Sequence, residues 1–484
     1  MKNALKMQHD KYDLIVVGCG SGGLSVGLGM KALGFKVLMI AKDEEDIGGE
    51  CLNDGCIPSK AMIHVANIVN SAKEAEKFGL KMSGEASMDL VKAYIQNIQT
   101  TIKKHENSEW LRAQGVDVLL GAASFHSSSS VNVNGEIISG KKIVLATGSS
   151  PKKLTVRGIE MAAYYDNQTI FNIDIVPRRL LIVGSGPIGI EIAQTMCRLG
   201  TEVTVVSRSE QILPNEDKEL TEILKKRLEA EGVKFYFKSE LEEVLSKEKA
   251  TVKLSNKEST DIFYDAIFVA IGRELFFDGL KLAHAGIKVR DKKIVVNEYL
   301  QTTAKNVYLC GDIAGDLYFS HAAEFHARIL INNFLSPIKK KLNNKNFSWV
   351  TFTKPELATF GYSQKQMKDK SIDFEVIEQN FTNDDRALTD NYVEGKLLMY
   401  ISKRNLIGGQ KILGGSMIAP HAGEMIQELI LANSTGLSTN ALFNKIYPYP
   451  TASRINQSAI VHYRSKNLSR TVKKLLQFTF KIFG

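Results

Sequence analysis

Cysteine is scarce in this 484-residue chain, with five in all and none after Cys310. That is too few for a disulfide scaffold in a protein of this size. The default is a cytoplasmic setting, where a disulfide is catalytic rather than structural. A membrane span is lacking too. The best candidate, Leu14 to Met30, is uncharged but holds six glycines in 17 residues, whereas a span needs about 20 mostly apolar ones. The opening MKNALKMQHDKYD has no apolar centre of the kind a secretory signal needs. Acidic residues stop at Glu428, and eight basic residues follow it, so the rest of the chain holds 54 basic against 53 acidic. The net charge of +9 therefore belongs to the carboxyl end, which argues against a nucleic-acid-binding body.

What is present is ordinary for a globular protein: 44% hydrophobic and 24% charged residues. This composition excludes a disordered or collagen-like chain, and the length suggests about three domains. The clearest signal is a repeat. DLIVV (Asp13 to Val17) runs into GCGSGG, and RLLIV (Arg179 to Val183) runs into GSGPIG, with Gly18 and Gly184 166 residues apart. Each is followed by a helix-like stretch and a second β-like run, FKVLMI or TEVTVV. Two dinucleotide-binding βαβ units are the economical reading.

In each unit the first glycine (Gly18, Gly184) permits a tight turn. The second (Gly20, Gly186) lets the backbone approach a pyrophosphate, and the third (Gly23, Gly189) lets helix and strand pack closely. The acidic residue that usually holds a ribose hydroxyl is missing at the expected offset, where Ala41 and Ser207 stand before Lys42 and Arg208. Arg208 suits a 2′-phosphate, favouring NADPH over NADH at the second site. Asp43, Glu44 or Glu45 remains available for the ribose at the first.

Between the fingerprints, Leu90 to Gln114 reads as a long helical region, and Asn134-Gly135 marks a hairpin turn. The Lys- and Asn-rich stretch from Pro337 to Asn346 reads as a linker. From Trp349 onward strands and helices alternate without another glycine fingerprint, as in a third domain.

GGECLNDGCIPSK, Gly48 to Lys60, places Cys51 and Cys56 five positions apart. They form a small disulfide ring if the backbone brings their Cα atoms within range. The alternatives are two buried free thiols or half of a metal site, but no companion Cys/His cluster supports zinc. Lys60 lies four residues past Cys56, on the same face if this is a helix. A nearby cation or flavin favours the reactive thiolate. Cys19, Cys197 and Cys310 read as small packing residues.

This segment resembles the redox centre of the pyridine nucleotide-disulfide oxidoreductases, class I, which include dihydrolipoamide dehydrogenase, glutathione reductase and mercuric reductase. The likeness runs from residue 12 to about 455. Its other marks are ATG at Ala146 to Gly148, AIGR at Ala270 to Arg273, CGD at Cys310 to Asp312, and TFTKPELATFGYS from Thr351 to Ser363. The resemblance implies an α/β fold with two Rossmann-like domains, for FAD and NAD(P), and an α+β dimerisation domain. The expected boundaries are 1–155 for the first part of the FAD domain, 156–280 for the NAD(P) domain, 281–345 for the second FAD or central part, 346–463 for the dimerisation domain, and 464–484 for a tail.

By the same resemblance, FAD is held by Gly18, Gly20, Gly23, Gly49, Lys60, Gly121, Thr147, Gly148, Gly311, Asp312 and Ala322. NADPH, or NADH, is held by Gly184, Gly186, Gly189, Ser207, Arg208 and Gly272. Hydride passes from nicotinamide to flavin, and the flavin reduces a Cys51–Cys56 disulfide. Cys56 faces the flavin, Cys51 attacks the substrate, and Lys60 pairs with Glu191. The family's terminal His-Pro-Thr segment with its nearby Glu is altered here to YPYPTASR. Tyr449 stands at the histidine, Arg454 stands at the glutamate, and no histidine lies between His421 and His462. A tyrosine with its ordinary pKa of about 10 is a poor base at neutral pH. Mercuric reductase also carries a tyrosine there, but it has a carboxyl-terminal cysteine pair that this chain lacks.

The expectation is a homodimeric FAD-dependent oxidoreductase with an unidentified acceptor: a disulfide, a quinone or a metal ion. Tyr449 would act across the dimer interface. Arg464 to Gly484 reads as a basic amphipathic helix, suited to an anionic membrane surface or acidic partner, or else docked on the dimer. Together with the missing dyad it keeps a second reading open: a membrane-associated flavin redox sensor or interaction module.

Overall fold

A computed structural model describes residues 11–275, 277–403 and 409–484. The chain forms two compact units. The first holds the chain up to Gly184, Thr195–Ser207 and Ser239–Leu342; the second holds Ser185–Gln194, Arg208–Lys238 and the chain from Asn343 onward.

The main sheet of the first unit is parallel at its centre. Strand Tyr12–Val17 lies between Val37–Ala41 and Glu136–Leu145, with Leu14 opposite Val37 and Ile15 opposite Ile143. Asp117–Leu120 extends it on one side, and Val307–Leu309 pairs with Glu136–Leu145. These strands read as unbroken apolar runs because both faces are covered. Leu14, Val16, Val37 and Met39 pack into one core with Ile329 and Leu330; Ile15, Val17, Leu38 and Ile40 pack into the other with Leu282 and Ile287. Truncating a fully buried leucine such as Leu14 to alanine costs about 2–5 kcal/mol.

Asn134 and Gly135 both take positive φ, 53° and 89°, closing the hairpin between Ser130–Val133 and Glu136–Leu145 as expected. A second parallel sheet sets Arg179–Val183 between Glu202–Ser207 and Ala266–Val269. Beside it lies an antiparallel meander, Glu240–Ser246, Lys249–Lys253 and Ser259–Phe263.

The second unit carries a five-stranded antiparallel sheet in the order Ser348–Thr351, Glu356–Gly361, Ile412–Ala419, Lys396–Ser402, Phe374–Asn380. Helices Gln427–Thr435 and Ile455–Lys466 bury Leu429, Ala459 and Ile460 in its core.

Two helical expectations need correction. Leu90 to Gln114 is two helices, Met88–Lys103 and Ser108–Ala113, because Asn107 accepts the Trp110 N–H at 2.8 Å and caps a new start. The tail helix begins only at Arg470, where Ser469 accepts the Val472 N–H at 3.2 Å. Lys466 therefore closes the preceding helix, and Leu468 lies between the two. No helix among the described residues is long and apolar enough to cross a membrane.

Candidate active site

Two successive left-handed glycines, Gly48 (φ 90°) and Gly49 (φ 64°), turn the chain into a one-turn helix, Gly49–Asn53, that carries Cys51. The helix stops at Asp54, and Cys56 is the first residue of the next one, Cys56–Glu74. Asn53 and Gln99 hold the bend. The Asn53 amide donates to the Gly49 carbonyl at 3.0 Å, and Gln99 donates to the carbonyls of Leu52 and Asn53 at 2.9 and 2.8 Å.

This turn brings the two cysteines together as free thiols within hydrogen-bonding contact. The bond to Cys56 and burial both push the Cys51 thiol up, against smaller opposing effects of the Ser320 and Ser21 hydroxyls. Cys56 Sγ is itself 3.4 Å from Ser320 Oγ. Lys60 lies one helical turn on from Cys56, with its ammonium 3.4 Å from Ser59 Oγ.

Behind Cys51 runs a charged network that motif reading did not single out. Arg273 of AIGR donates through Nη1 to Glu50 Oε1 at 3.0 Å and through Nη2 to Glu50 Oε2. Its Nε donates to Ser149 Oγ at 2.6 Å, and Ser149 in turn donates to Asp312 Oδ2 at 2.5 Å. Asn167 donates to Glu50 as well. Burial raises the Asp312 pKa, while Ser149 and Arg273 oppose the rise. Burial, then the charge of Glu50, lifts Asp54 to about 6. His326, fully buried, accepts the Gly311 N–H on Nδ1 at 3.1 Å, and its Nε2 has no hydrogen-bond partner among the described residues. Burial drops its pKa to about 4.

The first fingerprint fits the pyrophosphate of FAD. A Cβ on Gly18 would lie 2.3 Å from the Ala146 carbonyl oxygen, and one on Gly49 would lie 2.6 Å from Gly20 Cα. Only glycine allows that closeness at the amino terminus of helix Ser21–Ala32. Gly148, at φ 72°, borders open space, and Gly121 bonds back to Ala41. Asp312 and Gly311 follow strand Val307–Leu309, Ala322 is fully buried in helix Ser320–Leu335, and Thr147 is exposed. These residues would hold FAD. Glu44 is engaged otherwise, accepting the Ser108 N–H at 2.8 Å.

In the first unit, Gly184 makes the same turn as Gly18: a Cβ there would lie 2.2 Å from the Ala270 carbonyl oxygen. Ser207 is buried at the end of strand Glu202–Ser207, and Gly272 takes φ 116°. In the second unit, Gly186 borders open space, Gly189 is buried, and Arg208 is exposed. Glu191, also buried, accepts the Phe352 N–H at 2.8 Å. Tyr449 is 67% exposed and donates to Asp385 at 3.1 Å, with the Arg454 guanidinium 5.5 Å from its ring centre. The Asp385 hydrogen bond and charge raise its pKa. Ser149, Asn167, Ser320 and Asp385 lie outside the motifs; Ser21 lies inside the first fingerprint and Glu50 inside the two-cysteine segment, but neither was singled out.

A doubly wound dinucleotide fold with paired thiols beside its glycine turn defines a flavin- and nicotinamide-dependent class of oxidoreductase. The family model described as pyridine nucleotide-disulphide oxidoreductase matches residues 12–327, and its dimerisation domain matches residues 347–459. A dihydrolipoyl dehydrogenase from Thermus scotoductus is 32% identical over 91% of this chain and 95% of its own. A mercuric reductase from Lysinibacillus sphaericus is 29% identical over 93% of this chain and 82% of its own. The solved structure of the HOCl-induced flavoprotein disulfide reductase RclA from Escherichia coli superposes with TM-score 0.81 at 25% identity, covering 92% of this chain and 98% of that one. The chain belongs to the pyridine nucleotide-disulphide oxidoreductase family. It is an FAD-dependent NAD(P)H oxidoreductase with a disulfide relay, and its dimerisation domain fits a homodimer.

Proposed function

We propose that the protein oxidises NADPH and delivers the electrons through Cys51 and Cys56 to a small acceptor that needs no protein base. When bound, FAD supplies hydride acceptance from the nicotinamide and two-electron transfer to the cysteine pair. The chain's own residues set the rest. Cys56 faces the flavin, and Cys51 meets the acceptor. Arg208 at the second fingerprint favours the 2′-phosphate of NADPH. Domain boundaries follow the family's order as given above.

The observation that carries the acceptor class is the bond from Tyr449 to Asp385. A phenol donating to a carboxylate is harder to deprotonate. Contributed across the homodimer interface, Tyr449 therefore stays protonated and does not serve as the base that disulfide exchange requires. A metal ion or a quinone fits better than a disulfide. Cys51→Ser tests the relay: flavin reduction by NADPH persists while acceptor reduction is lost. Full acceptor reduction in that variant would refute dithiol involvement.

A second reading concerns location. Helix Arg470–Phe483 leaves Leu475, Leu476, Phe478, Phe480, Ile482 and Phe483 more than half exposed and carries Arg470, Lys473, Lys474 and Lys481. Such a face suits an anionic lipid surface, holding a cytoplasmic enzyme at the inner face of a membrane.

A further inference from the structure

Helix Ser320–Leu335 begins beside the cysteine pair, and its first residue carries a hydroxyl. Ser320 Oγ is 3.4 Å from Cys56 Sγ, and the same hydroxyl acts on the neighbouring Cys51 thiol, lowering its pKa. A second hydroxyl, that of Ser21 at the start of the fingerprint helix Ser21–Ala32, reaches Cys51 as well. Two hydroxyls from the amino-terminal residues of two different helices thus converge on two sulfurs. None of the motifs that mark the family includes Ser320.

We propose that Ser320 is a positioning residue for the redox pair: its hydroxyl stabilises the thiolate left when the Cys51–Cys56 disulfide is reduced, and so sets both thiol acidity and redox poise. The argument is differential. Reduction breaks one S–S bond, adds two electrons that originate in the nicotinamide hydride, and takes up one proton, leaving one thiol and one thiolate. A neutral disulfide sulfur is a weak hydrogen-bond acceptor, whereas a thiolate is a charged one whose bonds are stronger. The hydroxyl therefore favours the reduced, singly deprotonated state over the disulfide. A hydrogen bond to the charged form lowers its pKa, in keeping with the direction in which Ser320 and Ser21 act on Cys51.

The proposal rests on the Cys51–Cys56 relay, so its test is chosen not to depend on NADPH. The full-length holoenzyme is reduced with dithiothreitol and freed of reductant without air. The pH dependence of iodoacetamide alkylation at Cys51 and Cys56 is then followed by peptide mass. In Ser320→Ala the alkylation midpoint rises by about one pH unit, and Ser320→Thr, which keeps the hydroxyl, returns it to the wild-type value. The disulfide becomes about tenfold harder to reduce, roughly 30 mV for this two-electron couple. If Ser320→Ala fails to retain flavin, Ser320→Gly removes the same hydroxyl and reads the same shift. Superimposable profiles for the wild type and the hydroxyl-free variants would overturn the assignment, as would equal shifts in Ser320→Ala and Ser320→Thr. A shifted midpoint in a protein that never passes electrons to an acceptor would leave Ser320 in place and remove the relay instead.

Discussion

Arg273 forks onto Glu50, the residue immediately before Cys51, with Nη1 3.0 Å from Oε1 and Nη2 on Oε2. The same guanidinium donates to Ser149, which holds Asp312. One cation therefore ties the redox turn to the acidic residue expected to hold the flavin side chain. Both partners are largely shielded, with side-chain exposures of 12% and 26%. Arg273→Met strands Glu50 without its cation and costs about 1–3 kcal/mol of stability, less than a fully buried pair because Glu50 retains some water. Urea unfolding followed by flavin fluorescence measures this, and Glu50→Gln in the same background recovers part of the loss.

Tyr449 and Asp385 make a second pair with a readable signature. The carboxylate raises the phenol pKa, so Asp385→Asn lets Tyr449 ionise at lower pH. Alkaline difference spectra of Asp385→Asn with and without Tyr449→Phe isolate that one phenol among the chain's tyrosines. Tyr449→Phe keeps the ring and removes the donor, and it lowers acceptor turnover by about tenfold or more while leaving flavin reduction by NADPH intact.

His326 links the site to acid stability. Its folded pKa of about 4 lies below the unfolded value of about 6.5, so between those values the unfolded chain binds the extra proton. The contribution of its neutral form is full above about pH 6.5 and is lost as pH falls toward 4, amounting to about 3 kcal/mol. Asp316 opposes the shift and trims it. Stability measured across that window declines less in His326→Gln than in the wild type.

These pairs mark the limit of what the residues disclose in one dimension. The glycine turns were legible because Gly18 and Gly23 answer a local demand: the Cβ of any other residue would strike backbone at 2.3 or 1.9 Å. The paired thiols were legible because the turn between them is local as well. Glu50 with Arg273, and Cys56 with Ser320, are 223 and 264 positions apart in the chain, and only the sheet and its crossing helices bring them together. The break at Asn107 was missed for a different reason. The apolar period carries across it, and a single side-chain cap decides where one helix ends and the next begins.

The tail makes a separable prediction. Residues 470–483 expose apolar and basic side chains on one helix, so the full chain floats with anionic liposomes and loses that partitioning when residues 464–484 are removed. Partitioning unchanged by the truncation would remove the membrane argument without touching the relay.

The most direct measurement is an anaerobic titration of the flavin spectrum with NADPH and, separately, with NADH. The account predicts a long-wavelength thiolate-to-flavin charge-transfer band at two-electron reduction, abolished by Cys56→Ser and reached with less NADPH than NADH. Flavin bleaching with no such band in the wild type would contradict the Cys51–Cys56 relay and leave a simple flavin reductase or a redox sensor in its place.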